Sequence, residues 1–71
     1  MKPPQLKPIQ VEKILLRHGF EIKRQTGSHR IFIHPQTKKS TSLPMHNKDV
    51  PPGTLRSILK QTSIPEEEFR K

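Results

Sequence analysis

The apolar residues of this chain change period twice. From Pro8 to His18 they recur at steps of three and four: Val11, Ile14, Leu15 and His18 share one face, while Glu12, Lys13 and Arg17 take the other. That spacing predicts an amphipathic helix. From Phe20 the period is two. Phe20 and Ile22 alternate with Glu21 and Lys23, and Ile31 and Ile33 alternate with Arg30 and Phe32, so two strands flank Thr26-Gly27 as a hairpin. Gly27 supplies the positive φ that such a turn needs. From Pro52 the helical spacing returns, with Leu55, Ile58 and Leu59 on a buried face and Arg56 and Lys60, four apart, on a solvent-facing stripe.

The punctuation agrees with the periods. Pro8 suits a first helical turn, whose N–H would be unpaired anyway, and Gly19 closes the helix as its C-terminal cap. His18 is explained as a last-turn side chain favoured by the helix dipole. Pro35-Gln36-Thr37-Lys38-Lys39 reads as a second turn, and Ser40 to Leu43 as a polar third strand closed by Pro44. Met45 to Pro51 is a loop carrying His46, Asn47, Lys48 and Asp49, and Ser63-Ile64-Pro65-Glu66 has capping-box spacing ahead of a short turn from Glu66 to Arg70 with Phe69 folding back. The expected fold is α+β: α-β-β-β-α with a three-stranded antiparallel sheet, both main helices on one face, and a short C-terminal helix. Residues 1–7, MKPPQLK, read as a flexible lead, and residues 8–71 as a single domain without repeats.

At 71 residues there is no room for a large internal pocket, so any substrate is expected on the surface. Leu, Ile, Val and Phe supply 18 residues, enough for a thin core, and with no cysteine there is neither a disulfide nor a thiolate metal site to reinforce it. No apolar run reaches even ten residues, so neither a membrane span nor a signal-peptide core is expected and a cytoplasmic location fits best. Residues 1–62 hold 12 basic and three acidic groups, within a net charge of +8 for the chain. A polyanion is the natural partner, and without a long amphipathic helix bearing bulky aromatics to enter a membrane, nucleic acid is the stronger reading. Solubility alone is the plainer account of the same charge.

Chemistry narrows to the four histidines, since there is no GxSxG elbow, phosphate-cradling glycine loop or cysteine nucleophile. Glu66-Glu67-Glu68 reads as a solvated helix start. His29 and His34 stand five apart on one strand and so face opposite ways, and His46 has no HxxxH partner, so no metal site and no cofactor are expected. Histidine with arginine and lysine suits RNA, whose 2′-hydroxyl is a built-in nucleophile that needs only a base and cations to steady the phosphate. DNA lacks that hydroxyl. By alternation His29 shares a face with Ile31 and Ile33, which are assigned to the core. It is therefore either a satisfied, semi-buried histidine or, because it follows Gly27-Ser28 directly, a residue at the rim of the sheet with an open turn beside it.

Gly19-Phe20, Gly27-Ser28-His29, Pro44-x-His46 and the run from Pro52 to Gln61, PGTLRSILKQ, occur in this order. Together they resemble the HicA family of bacterial mRNA interferase toxins, and the resemblance extends from Val11 to Phe69. It implies a double-stranded-RNA-binding-domain-like fold, cleavage of mRNA without need of the ribosome, and a HicB antitoxin that holds the toxin inactive. It also implies that the catalytic histidine is the one in the Gly27-Ser28-His29 turn. The proline-rich start departs from the expected shorter or more helical lead.

The reading is thus the toxin of a type II toxin–antitoxin system, a metal-independent endoribonuclease in which His29 is the general acid or base. Arg24, Arg30, Lys38, Lys39, Arg56 and Lys60 are the candidates to hold single-stranded RNA, although any one of them is equally explained as a solvated charge. His46 either works beside His29 or supports its loop, and support is the simpler role. The rival reading is a non-catalytic RNA-binding module of the same fold, which would track a duplex by its shape.

Overall fold

The computed structural model describes residues 5–46 and 48–70; residues 1–4 of the expected lead, Asn47 of the expected loop, and Lys71 lie outside them. The elements come in the expected order: α1 Pro8–Arg17, β1 Glu21–Thr26, β2 His29–Ile33, β3 Ser40–Pro44, α2 Pro52–Thr62, and a closing 3-10 helix Glu66–Phe69. The sheet is antiparallel with β2 in the centre. Val11, Ile14 and Leu15 of α1 and Leu55 and Ile58 of α2 share one core with Phe32 and Leu43 of the sheet, completed by Phe20, Val50, Ile64 and Phe69. Both helices therefore cover the same sheet face. The Cα envelope of 32 × 26 × 17 Å is two layers thick at its narrowest, which leaves the other face of the sheet open.

Local chemistry sets the helix ends. Pro8 opens α1, and the Lys7 N–H donates to Gln10 Oε1 at 2.8 Å, which satisfies one donor ahead of the helix. Gly19, at φ +92°, turns the chain out of the helix, and the Phe20 N–H donates back to the Leu15 carbonyl at 3.0 Å. Part of the lead is fastened: Leu6 packs against the core, and its carbonyl accepts the Val50 N–H at 2.8 Å. No described helix is long and apolar enough to cross a membrane.

Five local expectations are corrected. The buried position of β2 is Phe32, fully enclosed, whereas Ile31 and Ile33 are only half-buried on the open face. A register shift between Ile22 and Arg24 leaves Lys23 as an extra residue in β1, so the alternation read from Phe20 and Ile22 does not carry through the strand. Ile22 pairs with Phe32 on the inner face yet stays 48% exposed, because β1 is an edge strand.

The hairpin loop is Gly27-Ser28 rather than Thr26-Gly27, since Thr26 and His29 are cross-strand partners. Gly27 has φ +57° and Ser28 is not among the positive-φ residues, the pattern of a type II′ turn with glycine at the first central position. Ser63 does not begin a capping box. It is the left-handed C-cap of α2, at φ 62°, and the last helix is capped by Pro65.

Candidate active site

His29 is the first residue of β2 and is exposed. The two-residue loop dictates this placement, because Thr26 and His29 must face each other across the end of the hairpin. Being one residue out of step with Arg30 and Phe32, His29 stands on the open face with Ile31 and Ile33, away from the helices. Of the two readings drawn from the sequence, the rim position is the observed one. On that face the cross-strand neighbour is Thr26, and Arg24 pairs with Ile31, one strand repeat further along.

On its other side β2 pairs with β3, His29 opposite Pro44. The ladder continues one step past the strands, for the Met45 N–H donates to the Ser28 carbonyl at 2.6 Å. This bond sews the His29 turn to the segment that carries His46. His46 is exposed and, with Met45, lines an open depression of about 310 Å³ whose other walls are Lys7, Pro8 and Ile9 at the start of α1.

The predicted cations fall into four groups. Arg24 is exposed on the His29 face. Arg30 turns the other way: its Nη1 donates to Glu12 of α1, and its Nε and Nη2 donate to Gln25 Oε1 at 3.1 and 3.0 Å. It is held within the fold, and Glu12, expected on the solvent side, is buried beneath it. The sequence signal for this was slight, Glu12 lying three residues before Leu15 and four after Pro8, within the edge of the buried stripe.

Arg56 and Lys60 are exposed on α2, in the helical layer behind the sheet. Lys38 and Lys39 sit in the β2–β3 turn at the opposite end of the sheet from His29, where Lys39 Nζ donates to Ser63 Oγ at 2.6 Å. That end holds the other two histidines. His34 Nδ1 accepts the Gln36 and Thr37 N–H groups at 3.2 and 3.3 Å, and its ring meets Phe20 edge-on at 5.2 Å. His18 Nε2 lies 3.4 Å from Glu68 Oε1. Both rings thus serve local structure, while His29 and His46 are together at the other end.

No curated protein matches the chain. The family model described as "HicA toxin of bacterial toxin-antitoxin" matches residues 10–64, a span that takes in α1, the whole sheet with its His29 rim, and α2. This chain belongs to the HicA toxin family.

Proposed function

We propose that this toxin is an endoribonuclease acting on single-stranded mRNA in the cytoplasm, with His29 as general base toward the 2′-hydroxyl beside the scissile phosphate. The observation that carries the reading is the exposed imidazole at the rim of the open sheet face, directly after the Gly27-Ser28 turn. A base must reach the proton that it removes, and here no helix or loop has to move aside. Gly27 brings no side chain to the approach, and Arg24 on the same face offers a cation to the phosphate. Lys38, Lys39, Arg56 and Lys60 extend the attraction for the RNA backbone over the rest of the molecule.

The test is cleavage of labelled single-stranded RNA in the presence of EDTA. Wild type yields fragments, and His29→Ala loses roughly 10²- to 10⁴-fold in rate while keeping its fold and its affinity for RNA. Intact but gel-shifted RNA with wild type would identify a non-catalytic RNA-binding module instead. A toxin–antitoxin family implies a protein partner. We take that partner to be a HicB-like antitoxin that covers the His29 rim, with acidic groups that speed its association with this +8 chain.

A further inference from the structure

We infer that His46 is the second catalytic group of this site, the general acid that protonates the leaving 5′-oxygen. The inference rests on the ribonuclease reading above and assigns the step that His29 leaves undone. In a displacement at phosphorus the attacking and leaving oxygens stand roughly in line, on opposite sides of the phosphorus atom. A ring placed to take the proton of the first oxygen is therefore misplaced to give one to the second, and a separate donor has to lie across the phosphate.

The fold supplies one candidate. Pro44 is the cross-strand partner of His29, and His46 follows it by two residues, so the two histidine Cα atoms lie within about 13 Å of each other. The Met45 N–H bond to the Ser28 carbonyl, at 2.6 Å, holds the two segments in this relation. Two imidazoles whose backbones are that far apart can bracket one phosphodiester. His46 is exposed beside an open depression of about 310 Å³, room for the departing nucleoside. The other histidines and the nearby carboxylates among the described residues are occupied or remote: Glu12 holds Arg30, Asp49 lies 3.3 Å from Lys7, and His18 and His34 are at the far end of the sheet.

The step balances with these groups alone. Neutral His29 takes the 2′-hydroxyl proton, and the freed oxygen forms a bond to phosphorus. The bond from phosphorus to the 5′-oxygen breaks, its electron pair stays on that oxygen, and His46, entering as imidazolium, gives it a proton. The products are a 2′,3′-cyclic phosphate and a 5′-hydroxyl, and the two rings then exchange their protons with water.

The experiment compares an ordinary RNA with the same RNA carrying a bridging 5′-sulfur at one cleavable bond, since a thiolate leaves without a proton. Wild type, His29→Ala and His46→Ala are measured on both, together with His46→Asn, which retains a polar side chain in the loop. Rates are expressed as the ratio of sulfur to oxygen substrate, so a partly unfolded variant does not distort the answer. Both His46 variants should lose roughly 10²-fold or more on the oxygen substrate and recover to near wild-type rate on the sulfur substrate, whereas His29→Ala stays slow on both. Wild-type rates for the His46 variants on ordinary RNA, or equal losses on the two substrates, would overturn the assignment and leave the nuclease reading intact. Recovery of His29→Ala in their place reverses the two roles and overturns it as well. Inert wild type on both substrates removes the nuclease reading itself.

Discussion

Gly19 and Gly27 both have positive φ, but a methyl group would meet different surroundings at each. At Gly27 nothing lies within 4 Å of an added Cβ, whereas at Gly19 the Cβ would come 2.8 Å from His34 Nε2. Gly27→Ala therefore carries only the left-handed backbone penalty, roughly 1–2 kcal/mol. Gly19→Ala adds a collision with a ring that cannot swing away cheaply, because its Nδ1 receives two backbone N–H groups and it packs against Phe20 in a T-shaped contact. In urea unfolding Gly19→Ala should be clearly the more destabilising of the two. Introducing it into a His34→Ala background should cost less than in wild type, since the collision is then gone and only the φ strain remains. Equal costs in the two backgrounds would show that the ring is not what demands glycine. The glycine of the Gly27-Ser28-His29 turn is, by the same reasoning, a conformational requirement that leaves the approach to His29 clear.

At the scale of elements, the proposed function assigns two arginines on neighbouring strands different work, Arg30 in the fold and Arg24 on the ligand. Arg30 fastens α1 to the hairpin through Glu12, whose side chain is only 9% exposed. Removing one partner of a buried pair strands the other charge, at a cost of about 3–5 kcal/mol when burial is complete and less here, where the Arg30 side chain is 25% exposed. Arg30→Met should thus lower the unfolding free energy by about 2 kcal/mol or more, and adding Glu12→Gln should restore part of the loss. Arg24→Gln should leave unfolding within about 0.5 kcal/mol of wild type while reducing the salt slope of RNA binding by about 0.7, as for one phosphate contact to a single strand. The opposite pattern, with Arg30 setting the salt slope and Arg24 the stability, would contradict this division.

Period changes, Pro8, Gly19 and Pro52 made the element order legible in the sequence, because those signals are local. Which face of β2 is buried was not legible, since both of its parities carry apolar residues and the extra Lys23 breaks the alternation of its neighbour. Nor was the Glu12–Arg30 pair, whose members are 18 residues apart. His29 could be singled out from its turn and from the family motif. The relation of His46 to it depends on the pairing of His29 with Pro44 and on the Met45–Ser28 backbone bond, which no periodicity records.

For the molecule as a whole, the decisive fact is that its two ends differ. The Leu6 carbonyl bond to Val50 and the Lys39 bond to Ser63 fix the directions of the helices: both begin at the His29 end and run back toward the β2–β3 turn. Lys38 and Lys39 are thereby separated from His29 by at least the length of β2, about 14 Å or more at the usual strand rise. That exceeds the screening length of about 8 Å at physiological ionic strength. A dinucleotide has a single phosphate, so with its scissile bond at His29 it has no charge near those lysines, while a longer RNA crossing the sheet does. The double substitution Lys38→Gln with Lys39→Gln should therefore change kcat/KM for a dinucleotide less than about twofold, yet weaken binding of a long single strand and cut its salt slope by about 1.4. Loss of the Lys39 bond to Ser63 Oγ is an exposed change, within about 0.5 kcal/mol of stability, so unfolding cannot account for the contrast. If dinucleotide cleavage falls in step with long-RNA binding, the far-end cations act at the reacting phosphate itself and the separation of the two ends has no functional meaning.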